Sequence, residues 1–157
     1  MLRSEEALVI KEVKFEGILL AIIIPRDHSH DGLSFFTPKD LSLQLGYMKY
    51  PANHHIVPHV HKTVQRSVST TMEAILVKSG RIIVDLYSQD KRYVDSEELV
   101  QGDFILLVAG GHGYRFVEDG ELLEVKQGPY VSEHVDKEKF NEPPSLTSAD
   151  SSGHENT

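Results

Sequence analysis

Four of the nine histidines fall within eight residues, His54, His55, His59 and His61, in the stretch NHHIVPHVH. Side chains alternate along an extended chain, so His59 and His61 project to one side and offer two imidazoles together, half of a metal site. A carboxylate follows in EAILVKSG, where Glu73 shares a strand face with Ile75 and Val77. A carboxylate on an apolar face is costly unless it is paired or holds a cation. A third element, GDFILLVAGGHG, ends an apolar run in a glycine-rich loop that delivers His112. Three imidazoles and a carboxylate, with no cysteine in the chain, suit a divalent transition metal held by nitrogen and oxygen, and such a donor set does not choose among Fe, Mn, Ni and Zn. A metal so held polarises a carbonyl, stabilises an enediolate or activates water.

Other side chains are candidates for the surroundings of such a site. His55 has the parity of His59 and His61 if the strand runs unbroken through Pro58. Tyr114 and Arg66 are suited to binding a carboxylate, a phosphate or a sugar hydroxyl, and Tyr47 carries a phenol able to transfer a proton. A second His-x-His, His28 and His30 in PRDHSHDG, sits in a turn-rich stretch with no glutamate downstream at matching spacing and reads as a loop. His134 and His154 fall in a charged C-terminal stretch and need no special role.

The elements that must position these residues read as β. Short β-branched runs recur between turn signals, with no sustained helical period. Strands are predicted at Leu8–Phe15, Ile18–Ile24, Leu43–Tyr50, Ile56–His61, Glu73–Lys78, Arg81–Tyr87, Phe104–Val108, Gly113–Val117 and Leu122–Lys126. Ser79-Gly80 and Asp119-Gly120 have the chemistry of two-residue hairpin turns. A helix is indicated at most around Val131–Phe140. Many short strands at this spacing imply a sandwich or a double-sheet barrel.

Length and composition bound the rest. At 157 residues, one domain is expected, over residues 1–140. Asn141 onward, NEPPSLTSADSSGHENT, lacks aromatic residues and is expected to be a disordered acidic tail, residues 141–157. From Ser132 to the end, six carboxylates face two lysines, so this stretch carries half of the formal charge of −8. The acidic balance argues against a nucleic-acid binder, which needs a basic face. The longest apolar run, ILLAIII, has seven residues against the roughly 20 of a spanning helix, so no membrane role is expected. The opening MLRSEEALVI has no secretory h-region, which points to a cytoplasmic protein.

Taken together, the motifs resemble the cupin superfamily. Asn53 stands at the motif's first glycine, five residues before His59; His59-Val60-His61 and Glu73-x6-Gly80 follow. Gly102 and Gly110 fit the second motif, with Val108 in place of its proline and His112 one residue nearer Gly110. Eleven residues, Lys62–Met72, separate His61 from Glu73 where the pattern has three or four. Gln44-Leu45-Gly46-Tyr47, the stretch from Arg66 to Glu73, Gly110-Gly111-His112-Gly113 and Val125–Tyr130 (VKQGPY) resemble small single-domain cupins of the kind associated with surface-polysaccharide biosynthesis. The resemblance implies an all-β, cupin-like double-stranded β-helix (a jelly-roll barrel) that commonly forms homodimers. It implies a divalent metal on His59, His61, Glu73 and His112, with Tyr114, Arg66 and His55 as catalytic candidates. The implied activity is isomerisation, epimerisation or lyase chemistry on a sugar, a sugar nucleotide or another oxygen-rich small molecule. A metal-free version uses a histidine as base, and an iron-dependent dioxygenase or a non-catalytic ligand-binding module are the alternatives.

Overall fold

The computed structural model describes residues 9–141. Ten strands and one helical turn follow in order: β1 (Lys11–Phe15), β2 (Ile18–Ile24), β3 (Gly32–Phe35), β4 (Gly46–Lys49), β5 (Glu73–Ser79), β6 (Arg81–Tyr87), β7 (Tyr93–Val100), β8 (Phe104–Leu107), β9 (Gly111–Phe116), β10 (Glu121–Lys126) and α1 (Glu133–Asp136). They form three antiparallel sheets, β1-β2-β8-β5-β10, β7-β6-β9 and the separate pair β3-β4. The molecule is therefore all-β, and among the described residues its strands do not close into a single sheet. The terminal tail expected from residue 141 lies, beyond Asn141 itself, outside the described residues, as does Leu8 of the first predicted strand.

Two faces of the five-stranded sheet are covered differently. Ala21, Ile23, Ile75, Val77, Ile105 and Leu107 meet Ile82, Val84 and Leu86 of β6 in one buried cluster. The alternation of β5 and β6 makes this core: Ile75 and Val77 point inward from one sheet, Ile82, Val84 and Leu86 from the other. The opposite face, with Ile22, Leu106, Met72 and Val108, is covered by Leu41, Leu43 and Leu45. This explains the seven-residue apolar run Ile18–Ile24. From Leu20 to Ile24 every residue is buried, because β2 has apolar cover on both faces.

Several sequence expectations change. Ile56–His61 is not a strand: from Tyr50 to Met72 the chain forms neither helix nor strand, and residues 51–71 are all exposed. Pro58 interrupts the run, and valines and isoleucines without a facing sheet have nothing to pack against. The predicted strand Leu43–Tyr50 contracts to β4, paired with β3, which is only four residues long and follows a turn-rich stretch. β7 also goes unpredicted, because Asp95, Glu97 and Glu98 lower its strand propensity. Pairing with β6 overrides that preference, and the carboxylates are answered by cations: Lys11 from β1 lies 2.5 Å from Glu97, and Arg81 lies 3.7 Å from Glu98.

The two predicted hairpin turns are corners. β5 pairs with β8 and β10, and β6 with β7 and β9, so Ser79-Gly80 carries the chain from one sheet to the other. Asp119-Gly120 does the same between β9 and β10. The two corners lie against each other: a Cβ on Gly120 would come within 2.7 Å of the Ser79 carbonyl oxygen, and Gly80 has φ +77°. Glycine is used here for a positive φ and for close approach of two backbones, and the turn chemistry serves sheet switching.

Candidate functional site

The inner faces of the two larger sheets meet at an open cleft of about 590 Å³. Glu73 begins β5 on the face it shares with Ile75 and Val77, as the sequence predicts, and is buried. On β9, His112 is opposite Leu86 and Tyr114 is opposite Val84, so both side chains share the inward parity of the β6 core residues. Gly110, with φ +74°, turns the chain into β9. The histidine expected on a loop therefore stands on a strand.

Across the cleft, His112 Nε2 lies 3.0 Å from Glu73 Oε2. The hydrogen bond from His112 holds the Glu73 carboxyl below the usual carboxylate range, against the cost of burial, and the charges of His112, Lys137 and Lys126 act in the same direction. An ionised carboxylate only accepts hydrogen bonds, so the Nε2 of His112 carries the proton in this pair. Whenever the ring is neutral, its other nitrogen, Nδ1, is the basic position.

Tyr114 lies beside this pair, its ring centre 5.4 Å from that of His112. Its hydroxyl is buried and has no hydrogen-bond partner among the described residues. Burial, then the negative charges of Glu73 and Glu124, push its phenol well above the ordinary tyrosine value, so it remains a proton donor. A buried hydroxyl without a partner is unusual in a folded protein, and here it belongs to a residue that lines the cleft.

The other sequence candidates stand elsewhere. His55, His59, His61 and Arg66 are all on the exposed stretch between β4 and β5 and do not line the cleft. His59 and His61 lie together, ring centres 5.3 Å apart, and His59 Nδ1 is 3.0 Å from the Val57 carbonyl oxygen. Asn53 has φ +67°, the left-handed backbone expected of it at the motif's first glycine. Arg66 Nη1 reaches the Val64 carbonyl at 3.5 Å. Tyr47 packs against His28 and His30, which in turn meet Phe36, beside the β3-β4 pair and away from the cleft. Compared with known proteins, the chain matches no family model, no curated protein and no solved structure.

The donors fit a transition metal in type but stand in two pairs, Glu73 with His112 and His59 with His61. Among the described residues, no three histidine or acidic side chains stand close enough to hold one ion.

Sequence reasoning missed the far wall of the cleft. Asp136, Lys137, Glu138, Lys139 and Phe140 all line it. Phe140 packs edge-on against Tyr87, ring centres 5.1 Å apart, and its ring lies where a Cβ on Gly111 would come within 3.1 Å. Lys91 fastens the same segment through Glu138 at 2.5 Å. The available signal was Phe140 itself, the last aromatic residue of the chain, in an otherwise charged run.

Proposed function

We propose that this chain is a cupin-type jelly-roll enzyme that performs proton transfer, of the isomerase or epimerase kind, on a sugar or other oxygen-rich small molecule. One observation carries the reading: the buried Glu73 carboxylate orients His112 at 3.0 Å in a cleft that Tyr114 also lines. Glu73 fixes the tautomer, Nδ1 of His112 takes the proton, and the Tyr114 phenol donates a hydrogen bond to the oxygen on which charge develops. The order of the motif residues and the left-handed backbone at Asn53, Gly80, Gly102 and Gly110 support the cupin assignment.

The test is solvent exchange. A panel of sugars and sugar nucleotides is incubated in D₂O with the protein, and deuterium entering a carbon next to a carbonyl is followed by NMR. Wild type is expected to exchange one substrate class, and His112→Gln to lose at least about 10²-fold, the usual worth of a positioned base. Tight binding without exchange anywhere in the panel would instead support a non-catalytic binding module.

A second reading keeps the metal, and the geometry of His59 favours it. With Nδ1–H on the Val57 carbonyl, Nε2 is left with its lone pair outward, as a metal ligand requires. In this reading the His59–His61 pair, which does not meet Glu73 and His112 in this structure, would have to join them to hold a divalent ion, which would supply Lewis-acid stabilisation of a substrate oxygen. The segment bearing the two histidines runs straight into Glu73, and β9, which bears His112, is the last strand of its sheet among the described residues. Elemental analysis of untagged protein decides it: stoichiometric metal, absent from the His59→Gln/His61→Gln double variant, is the expected result.

A further inference from the structure

We infer that the substrate of this cleft bears an anionic group, a carboxylate or a phosphate, and that Lys137 binds it. The inference rests on the cleft being the working site and adds the class of its ligand. Three lysines line the cleft, Lys91, Lys137 and Lys139. Two are committed: Lys91 to Glu138 at 2.5 Å, and Lys139 to Glu133 at 2.7 Å. Lys137 makes no ion pair with any described residue, though the segment that carries it is pinned on both sides by those pairs and by Phe140 against Tyr87.

The committed pairs cancel their own charges. Of the charges still open in the lining, Asp136 is negative and Lys137 positive, and these differ in what they reach. The charged groups felt at Glu73 are His112, Lys137 and Lys126, all basic, and Asp136 is not among them. Lys137 is exposed, lines the same cleft as Glu73 and His112, and has no ion-pair partner among the described residues. Glu73 is already satisfied by His112, which leaves a place for a negative group on the ligand. A lysine suits this role as a compact point charge with three donors, able to meet carboxylate or phosphate oxygens. Placed there, an anion anchors one end of a small molecule while its reacting carbon faces His112 and Tyr114.

The test uses the full chain and inorganic phosphate, with acetate as the carboxylate probe and glycerol as the neutral oxygen-rich one, at constant pH and ionic strength. The His112 ring resonances are followed by NMR in wild type, Lys137→Gln, Lys137→Arg and Lys62→Gln, the last an exposed lysine away from the cleft. The expected result is saturable movement of the His112 signals with the anions and none with glycerol. Affinity should fall at least tenfold in Lys137→Gln, recover in Lys137→Arg and stay unchanged in Lys62→Gln. Equal phosphate affinity in Lys137→Gln and wild type, or His112 signals that ignore both anions, overturns the inference. Calorimetry on His112→Gln separates it from the reading it rests on: phosphate binding retained there stands even if no proton-transfer activity is found.

Discussion

The side chains that matter in the cleft are in tension with the fold that holds them. Glu73 is buried on an apolar face and is tolerable there because His112 answers it. Tyr114 has no such answer. Its buried hydroxyl has no partner among the described residues, an arrangement that costs about 1–3 kcal/mol. Tyr114→Phe is therefore expected to leave stability unchanged or raise it by about 1 kcal/mol, read as a higher urea midpoint with the same m value. If the phenol donates to a developing negative charge, the same variant should lose roughly 10²-fold in proton exchange. A purely structural tyrosine predicts the opposite pair of results, a less stable protein with exchange intact. The Glu73 carboxylate was legible in the sequence, since EAILVKSG places it on the Ile75 and Val77 face. Its partner was legible as a residue, but its position on β9 was not, because no pattern in AGGHG says which glycine ends the turn.

Among the elements, the corners carry more than their length suggests. Gly80 and Gly120 bring the β5-to-β6 and β9-to-β10 connections into backbone contact, so the two sheets are stitched at one end. Gly80 has φ +77°, and a Cβ there would overlap the Asp119 carbonyl oxygen. Gly17 has a similar φ, +82°, but a methyl group added there would meet nothing within 4 Å. Gly17→Ala is thus expected to cost only the left-handed backbone penalty, about 1–2 kcal/mol. Gly80→Ala should cost that and the displacement of a second chain segment, at least about 1 kcal/mol more, measured by denaturant unfolding of both variants. Equal losses would show that the corners move apart freely. The sequence announced these turns correctly as glycine turns and misread what they join, because the same positive φ serves a hairpin and a sheet crossing alike. Ile56–His61 failed for a different reason. Its β-branched residues satisfy a strand pattern locally, but strand formation needs an edge to pair with, and that is information about another part of the chain. β7 is the converse, an acidic stretch made into a strand by the edge of β6 and by Lys11.

At the scale of the whole molecule, ionisation is distributed so that acid acts on both larger sheets at once. Glu73 lies in the five-stranded sheet, and Asp85, nearly inaccessible, in the three-stranded one. Burial of Asp85 opposes its charge, but the Arg115 guanidinium, at 2.6 and 2.7 Å, and the Ser96 hydroxyl overcome it and hold its carboxyl below the usual value. Both acids are thus depressed in the folded state. A depressed acid contributes stability that is complete above its unfolded pKa and lost as pH falls through its folded one. Glu97 runs the other way: burial raises it despite Lys11, so its share of stability grows as the pH drops. The two signs can be separated by variants. Urea midpoints measured from about pH 7 down to about pH 3 are expected to fall below the ordinary carboxylate range in wild type. Glu97→Gln should steepen that fall, and Glu73→Gln should flatten it. Asp85→Asn should flatten it too, but from a protein already weaker by about 1–3 kcal/mol at neutral pH, because the substitution removes a buried carboxylate that accepts charge-assisted hydrogen bonds from the partly exposed Arg115. An acid limb unchanged in all three variants would mean that these carboxylates are matched by equal interactions in the unfolded chain. The charge pairing between Glu73 and His112 would then organise the cleft without contributing to the stability of the fold.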